Sequence, residues 1–412
     1  MKARKTAAVL GVLLFAGVAV ACGSDDKGGS GAGGNVCPEK LKIQTDWFPE
    51  LEHGGTYQLI GPNGTADKAT VSYSGPVQEQ YAVGGLKELT IGTIKFDKAN
   101  SAILADGEAD MAYIGIADVI KDSAAIPMVA VMKTLDKDPQ MVMWDPAQYD
   151  IKKPEDIAAT GAPVLHFPGT AYTDYMTGKG YMTKAQDDPS YDGSDAKWVA
   201  AKGSVFQQGF ATNEVYKYEN EIQWKDGKPA PVAFYTVGDL GFDNYPAALT
   251  MMQDKAKGMS DCLKLLVPKM AQAWVDFYKN PKPIMDKMID INKAYDGFWT
   301  LSAPLNDAGL KILEDKKIGA NSPDGTYCSL DDAKVIPLGY DWAPAITARV
   351  HTPHGPLSVL VVHPPRPGLS GQTMTDERDR AFAAIPGVLA ALPAPRLLLG
   401  DCNATRWSRA WI

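Results

Sequence analysis

Two sets of residues in this 412-residue chain have types and spacing suited to chemistry, and they lie far apart in it. Near the C-terminus, the apolar run Leu397-Leu398-Leu399 leads into Gly400-Asp401 and then Asn403. That is how a buried strand would deliver a carboxylate and an amide to a catalytic site. Near the N-terminus, Asp46-Trp47 follow the alternating segment LKIQT. An aromatic face at the carboxyl edge of a parallel sheet stands where open α/β sheets bind ligands. Trp47 and Tyr57 can clamp a planar ring, and Gly54 and Gly55 would let the backbone approach a ligand closely. Thr170, in FPGTAY, would open a helix whose first backbone N–H groups are free to donate. Asn213 and Glu214 can hydrogen-bond amino or ring-nitrogen groups. His53 and Tyr113 complete this set, with Tyr172 and Tyr216 as further aromatic candidates. Each also has a packing role open to it: Trp47 between lobes, His53 as a structural imidazole, Tyr57 on the first helix, Glu214 as a solvated helix charge. The N-terminal 344 residues hold no nucleophile–base pair and no metal-ligating cluster, so binding rather than catalysis is expected there, with no cofactor and no metal.

The elements that must position these residues alternate. LKIQTDWF reads as a short strand, and AILADGEADMAYIGIADVI as a helical segment followed by a buried run. PMVAVMKT and QMVMW read as strands flanking a crossover. KKPEDIAATGAPVLHFPGTAY reads as a helix start, a turn, a buried strand and a loop opening the next helix. Residues 259–295 form a long amphipathic helical stretch broken by Pro281 and Pro283. Strands alternating with helices imply an α/β fold with mainly parallel sheets.

Charge usage divides the chain. Residues 1–344 carry 33 Lys and one Arg, whereas residues 345–412 carry seven Arg and no Lys. The net charge of −8 splits into about −11 before the break and +3 after it. Two origins are implied, and the overall balance argues against nucleic-acid binding. The N-terminus, MKARKTAAVLGVLLFAGVAVAC, has a basic start, an apolar run too short to span a bilayer comfortably, and small residues before Cys22, which is the pattern of an export signal. It resembles a lipoprotein signal (1–22) with Cys22 as the lipidated residue; an ordinary secretory signal cut near Cys22 is the alternative. Residues 23–37 read as a flexible tether. In an exported chain a disulfide among Cys37, Cys262 and Cys328 is expected. Cys262–Cys328 is the favoured pair because both lie late in the body, although the spacing leaves the pairing open.

The segments DWFPELEHGGTYQL (46–59), ADGEADMAYIGIADVI (105–120), PMVAV (127–131), KPEDIAATGAPVLHFPGTAY (153–172) and QGFATNEVYKYENE (208–221) resemble, in that order, periplasmic substrate-binding proteins of ABC importers. The branch is the one that includes nitrate, sulfonate, taurine and thiamine-pyrimidine-precursor binders. Trp-x-Pro followed by His-Gly and a Tyr is most similar to the thiamine-pyrimidine group. The resemblance covers about residues 38–344. It implies a two-lobed type II periplasmic-binding-protein fold, with lobe 1 at 38–135 and 238–345 and lobe 2 at 136–237. It further implies a small-molecule ligand, permease and ATPase partners, a monomer, and a place at the extracytoplasmic face of the cell membrane, held there by the lipid anchor. The absence of Arg from residues 41–344 tilts the ligand toward a neutral or weakly cationic heteroaromatic and away from a free oxyanion.

Residues 346–412 resemble an incomplete domain of the endonuclease/exonuclease/phosphatase superfamily, an α+β fragment derived from a sandwich. The carriers are ARVHTPHGPLSVLVVHPPRP and DERDRAFAAIPGVLAALPAPRLLLGDCNATRWS. By that resemblance His363 would assist the phosphate or leaving group, Asp401 would orient a water or metal, and Asn403 would hold a phosphate oxygen. The superfamily's other ligands and its Asp-His pair have no counterpart in this sequence, so these three are vestigial candidates. A metal-dependent phosphoesterase is the alternative function, and a fusion of a binding protein with half a hydrolase domain is the expected reading.

Overall fold

A computed structural model describes residues 35–122, 125–242, 245–319 and 328, and the backbone of the strands at 334–336, 345–352, 355–361 and 396–399. Cys22, His363, Asp401 and Asn403 lie outside the described residues. The first strands are β1 (Lys40–Gln44), β2 (Thr65–Asp67), β3 (Ser72–Pro76), β4 (Glu88–Gly92), β5 (Met111–Ile114) and β6 (Met128–Lys133). Next come β7 (Gln140–Trp144), β8 (Val164–Leu165), β9 (Asp187–Asp188), β10 (Phe206–Phe210) and β11 (Ala233–Thr236), and then β12 (Ala248–Met252). The helices are α1 (Gly54–Ile60), α2 (Asn100–Ala105), α3 (Ile116–Asp122), α4 (Glu155–Thr160), α5 (Ala171–Lys179), α6 (Ala196–Ala201), α7 (Glu214–Asn220), α8 (Gln253–Gly258), α9 (Ser260–Lys279), α10 (Lys282–Tyr295) and α11 (Ala303–Asp315).

The chain is α/β and builds two sheets here, in the orders β2-β3-β4-β1-β5-β12-β6 and β11-β7-β10-β8-β9. It leaves the first sheet after β6 and returns to it as β12, so the crossover expected between PMVAVMKT and QMVMW is present. The two passages touch: Val237 N donates to Gln140 O at 2.8 Å, and Thr134 Oγ1 donates to Ala247 O at 2.6 Å. The expectation of mainly parallel sheets is corrected, since both are mixed. In the first, only β4-β1 and β1-β5 pair in parallel. The β2–β3 hairpin adds an antiparallel edge, and β12 re-enters antiparallel to both neighbours because it comes back from the second sheet.

Alternation in β1 turns Leu41 and Ile43 inward. On that side α9 presents Cys262, Leu266, Met270, Ala273, Trp274 and Phe277 at helical spacing, all buried. The stretch predicted over 259–295 is helical and breaks before α10, at the prolines. Gly54 and Gly55 do not face a ligand, which corrects the sequence reading. They let α1 lie directly on α9, because a Cβ at Gly54 would overlap the Phe277 ring and one at Gly55 the Trp274 ring. Gly55→Ala is therefore expected to lower the unfolding free energy by about 1–3 kcal/mol through overpacking, despite alanine's better helix propensity. Urea denaturation measures this, and an unchanged midpoint would show that Trp274 has room to move aside.

The disulfide also differs from expectation. Cys262 bonds Cys37, while Cys328 is a buried free thiol. The first turn of α9 lies by the chain entering β1, where Cys37 N donates to Gly84 O at 2.7 Å. The neighbouring turn at Glu79–Tyr81 is tied to α9 by Tyr81 Oη donating to Asp276 Oδ2 at 2.9 Å. Cys328 instead sits at the end of β6, its carbonyl accepting from Lys133 N.

A third sheet, in the order β13-β14-β15-β16, contains β13 (Lys334–Ile336), β14 (Ala345–Thr352), β15 (Gly355–Val361) and β16 (Arg396–Leu399). β14 and β15 form the expected hairpin, and β16 runs parallel to β15 with Ser358 opposite Arg396. β13, from the Lys-rich side of the composition break, pairs antiparallel with β14.

Candidate functional site

The carboxyl ends of parallel strands in the first and second sheets face each other. From the first sheet come the segment after β1 (45–53) and the turn after β4; from the second come the loop after β8 (166–170) and the segment after β10 (211–213). Trp47 stands where they meet. Its ring packs edge-on against Phe48, Phe96, Phe167, Phe298 and Trp299, with centroids 5.4–6.3 Å apart. Phe167 belongs to the opposite sheet, as does Gly193, whose φ of +88° admits glycine readily and whose added Cβ would lie 2.6 Å from Trp47 Cη2. Phe96 and Phe298, about half exposed, form the outer rim. Lys121 of α3 donates to Gly169 O at 3.2 Å across the same boundary.

Beneath the aromatic cluster is a polar floor of buried carboxyls. Asn213 Nδ2 donates to Glu50 Oε2 at 3.0 Å, Thr212 Oγ1 donates to Glu52 Oε1, and Phe210 N donates to Glu214 Oε2 at 2.7 Å. Burial pushes the Glu52 carboxyl up to about 7, against the bond from Thr212. Burial raises Glu50 well above the usual carboxylate range, with Glu52, Asp46 and Glu214 adding repulsion. Glu214 is raised by burial too. The nearby cation is Lys217, its ammonium 3.7 Å from the Trp299 ring centre and its pKa lowered by desolvation. Three polar atoms of this region are buried without a hydrogen-bond partner: Trp47 Nε1, Trp299 Nε1 and Glu52 Oε2. Leaving such a group unpaired costs about 1–3 kcal/mol.

The residues singled out from sequence divide into two groups. Trp47, Asn213 and Glu214 lie where the two sheets meet. Thr170 immediately precedes α5, as expected, but its hydroxyl turns back toward His166 Nδ1 and Phe167 O, each at 3.3 Å. Three others lie behind the meeting surface. Tyr57 is in the core of the first sheet; Tyr113 shares a 2.6 Å hydrogen bond with Thr56; His53 is 1% exposed with both ring nitrogens engaged. Glu50, Glu52, Thr212, Lys217, Phe167 and the Phe298-Trp299 pair were not singled out. For Glu50 and Glu52 a signal existed, two acids close behind the aromatic pair Trp47-Phe48 and flanking Leu51. A groove of about 390 Å³ lies on the open face of the first sheet, between Lys42, Thr70, Thr90 and Lys95. Lys95 pairs with Glu108, and the Thr70 and Thr90 hydroxyls bond Ser72 and Ser74, so its polar groups are largely committed.

No family model matches the sequence, and no curated protein matches it. Solved structures do show similarity. The alkanesulfonate-binding protein SsuA from Xanthomonas axonopodis pv. citri, bound to MOPS, is 13% identical with a TM-score of 0.43, over 66% of this chain and 84% of that one. The periplasmic aliphatic sulphonate binding protein SsuA from Escherichia coli is 13% identical, TM-score 0.43, over 70% and 96%. The periplasmic nitrate-binding protein NrtA from Synechocystis PCC 6803 is 15% identical, TM-score 0.43, over 64% and 68%.

Proposed function

We propose that this chain is the extracytoplasmic solute-binding subunit of an ABC importer, of the type II periplasmic-binding-protein fold, tethered to the membrane through a lipid on Cys22. It closes two lobes on a small heteroaromatic or related nitrogen- or sulfur-containing ligand and hands it to a permease driven by an ATPase; it carries out no chemistry on the ligand. The observation that carries this reading is the trio of unpartnered buried groups, Trp47 Nε1, Trp299 Nε1 and Glu52 Oε2, at the place where two sheets joined by two crossovers meet. The ordered sequence motifs support it independently. The carboxyl-rich floor, with Lys217 as the nearby cation among the described residues, disfavours a free oxyanion.

Thermal-shift screening against pyrimidines, nitrate and sulfonates tests the reading, because a ligand that binds only the folded state raises the melting temperature. A donor-bearing pyrimidine is expected to stabilise most. For the ligand so found, Trp47→Ala is expected to weaken binding by about 1–3 kcal/mol, roughly 5- to 150-fold, without unfolding the protein. Unchanged affinity by calorimetry would reduce Trp47 to a packing residue.

A further inference from the structure

The two walls facing each other through Trp47 and Phe167 are built to one pattern. On the first, His53 lies behind the loop with Nδ1 3.2 Å from Phe48 O and Nε2 2.7 Å from Asp46 Oδ1. It thus grips the residues on both sides of Trp47, whose own carbonyl is held by Thr45 Oγ1 at 2.7 Å. On the second, His166 has Nδ1 2.8 Å from Phe167 O and Nε2 2.6 Å from Asp187 Oδ1. Phe167 N in turn donates to Gln208 Oε1 at 2.9 Å. Both imidazoles are buried, 1% and 3% exposed, so neither reaches a ligand through its nitrogens. A carbonyl can only accept, so each Nδ1 is the donor to its phenylalanine carbonyl, while each Nε2 lies at hydrogen-bond distance from a carboxylate oxygen. No other side chain of that size offers two in-plane hydrogen-bonding nitrogens on a rigid ring.

We propose that His53 and His166 are paired positioning residues: each bridges the carbonyl of a phenylalanine and a carboxylate, and together they fix the 6.0 Å separation of the Trp47 and Phe167 rings. Losing either staple frees one wall. The importance of that separation for a ligand rests on the function proposed above, but the staples themselves are a property of the folded chain and are testable without any ligand.

The test labels the nine tryptophans with 5-fluorotryptophan, assigns Trp47 by Trp47→Phe, and records ¹⁹F spectra of the full chain. His53→Phe and His166→Phe keep a ring of similar size and remove both bonds. Each is expected to shift and broaden the Trp47 resonance, while Trp198 and Trp274, fully buried in the two cores, keep theirs. Asp46→Asn and Asp187→Asn, which leave both histidines in place, are expected to give the same change in smaller degree. A Trp47 resonance unmoved in both histidine variants overturns the proposal. If the phenylalanine variants lose their dispersed spectra altogether, an unmoved Trp47 resonance in both asparagine variants overturns it equally. Failure to find a ligand for the chain would count against the proposed function alone.

Discussion

Cys37→Ser is expected to lower the unfolding free energy by about 3–5 kcal/mol. The bond closes a loop with a sequence separation of 225, so its loss restores a great deal of freedom to the unfolded chain. The folded state suffers as well, because Cys262 is fully buried in the first turn of α9 and its released thiol gains no partner. Urea denaturation of the variant beside the parent, with and without reductant, measures the difference. Peptide mapping under non-reducing conditions supplies the identity of the bond: one cross-linked pair containing Cys37 and Cys262 is expected, and it should survive Cys328→Ser. A cross-linked pair that vanishes in Cys328→Ser would restore the pairing favoured from sequence.

The second large effect is on the pH dependence of stability. A Glu52 carboxyl held at about 7 in the folded chain keeps its proton after the unfolded chain has released one near the ordinary value of 4.5. Between those two values the unfolded state binds fewer protons than the folded state, so stability falls as pH rises. The contribution is fully present below about 4.5, lost as pH climbs to about 7, and constant above that; a shift of this size corresponds to about 3 kcal/mol. Glu50, raised by burial and by its acidic neighbours, and Glu214, raised by burial, contribute with the same sign. Glu52→Gln should flatten the profile of unfolding free energy between pH 5 and about 7. A variant whose profile parallels the parent's would show that the charge is accommodated, and that the cluster is wetter than its burial suggests.

Local order was largely legible in the sequence, and the pairing of distant parts was not. The alternation of LKIQT, the crossover between PMVAVMKT and QMVMW, and the helix break near Pro281 depend on residues close in sequence, and all three are present. Strand direction was misread because β12 takes its place between β5 and β6 after a long excursion, which no local period records. The disulfide was misread for a similar reason: nearness in sequence to Cys328 said nothing of where α9 lies. Gly54 and Gly55 were correctly marked as places of close approach, but the approaching group is a pair of α9 aromatic rings and not a guest molecule. In the candidate site, Trp47, Asn213 and Glu214 were accessible as polar or aromatic residues at strand ends. Glu50 and Glu52 were harder, because a carboxylate in a sequence reads as a solvated charge until partners from another sheet show it to be buried.

The position of β12 also sets a timetable for biosynthesis. When a nascent chain emerges in order, β1, β4, β5 and β6 are all available early, yet β5 and β6 have no direct edge-to-edge pairing, since β12 lies between them. Residues 134–247 must appear first, and within them every strand of the second sheet is contiguous in sequence. The second sheet can therefore finish while the first still waits with two strand edges uncovered, which are the features most open to mispairing between chains. Only when β12 arrives, followed directly by α8 and α9, can the first sheet be completed and Cys262 be brought to Cys37. The cross-link that does most for the finished fold thus cannot form until β12 has emerged, because Cys262 follows that strand in the chain.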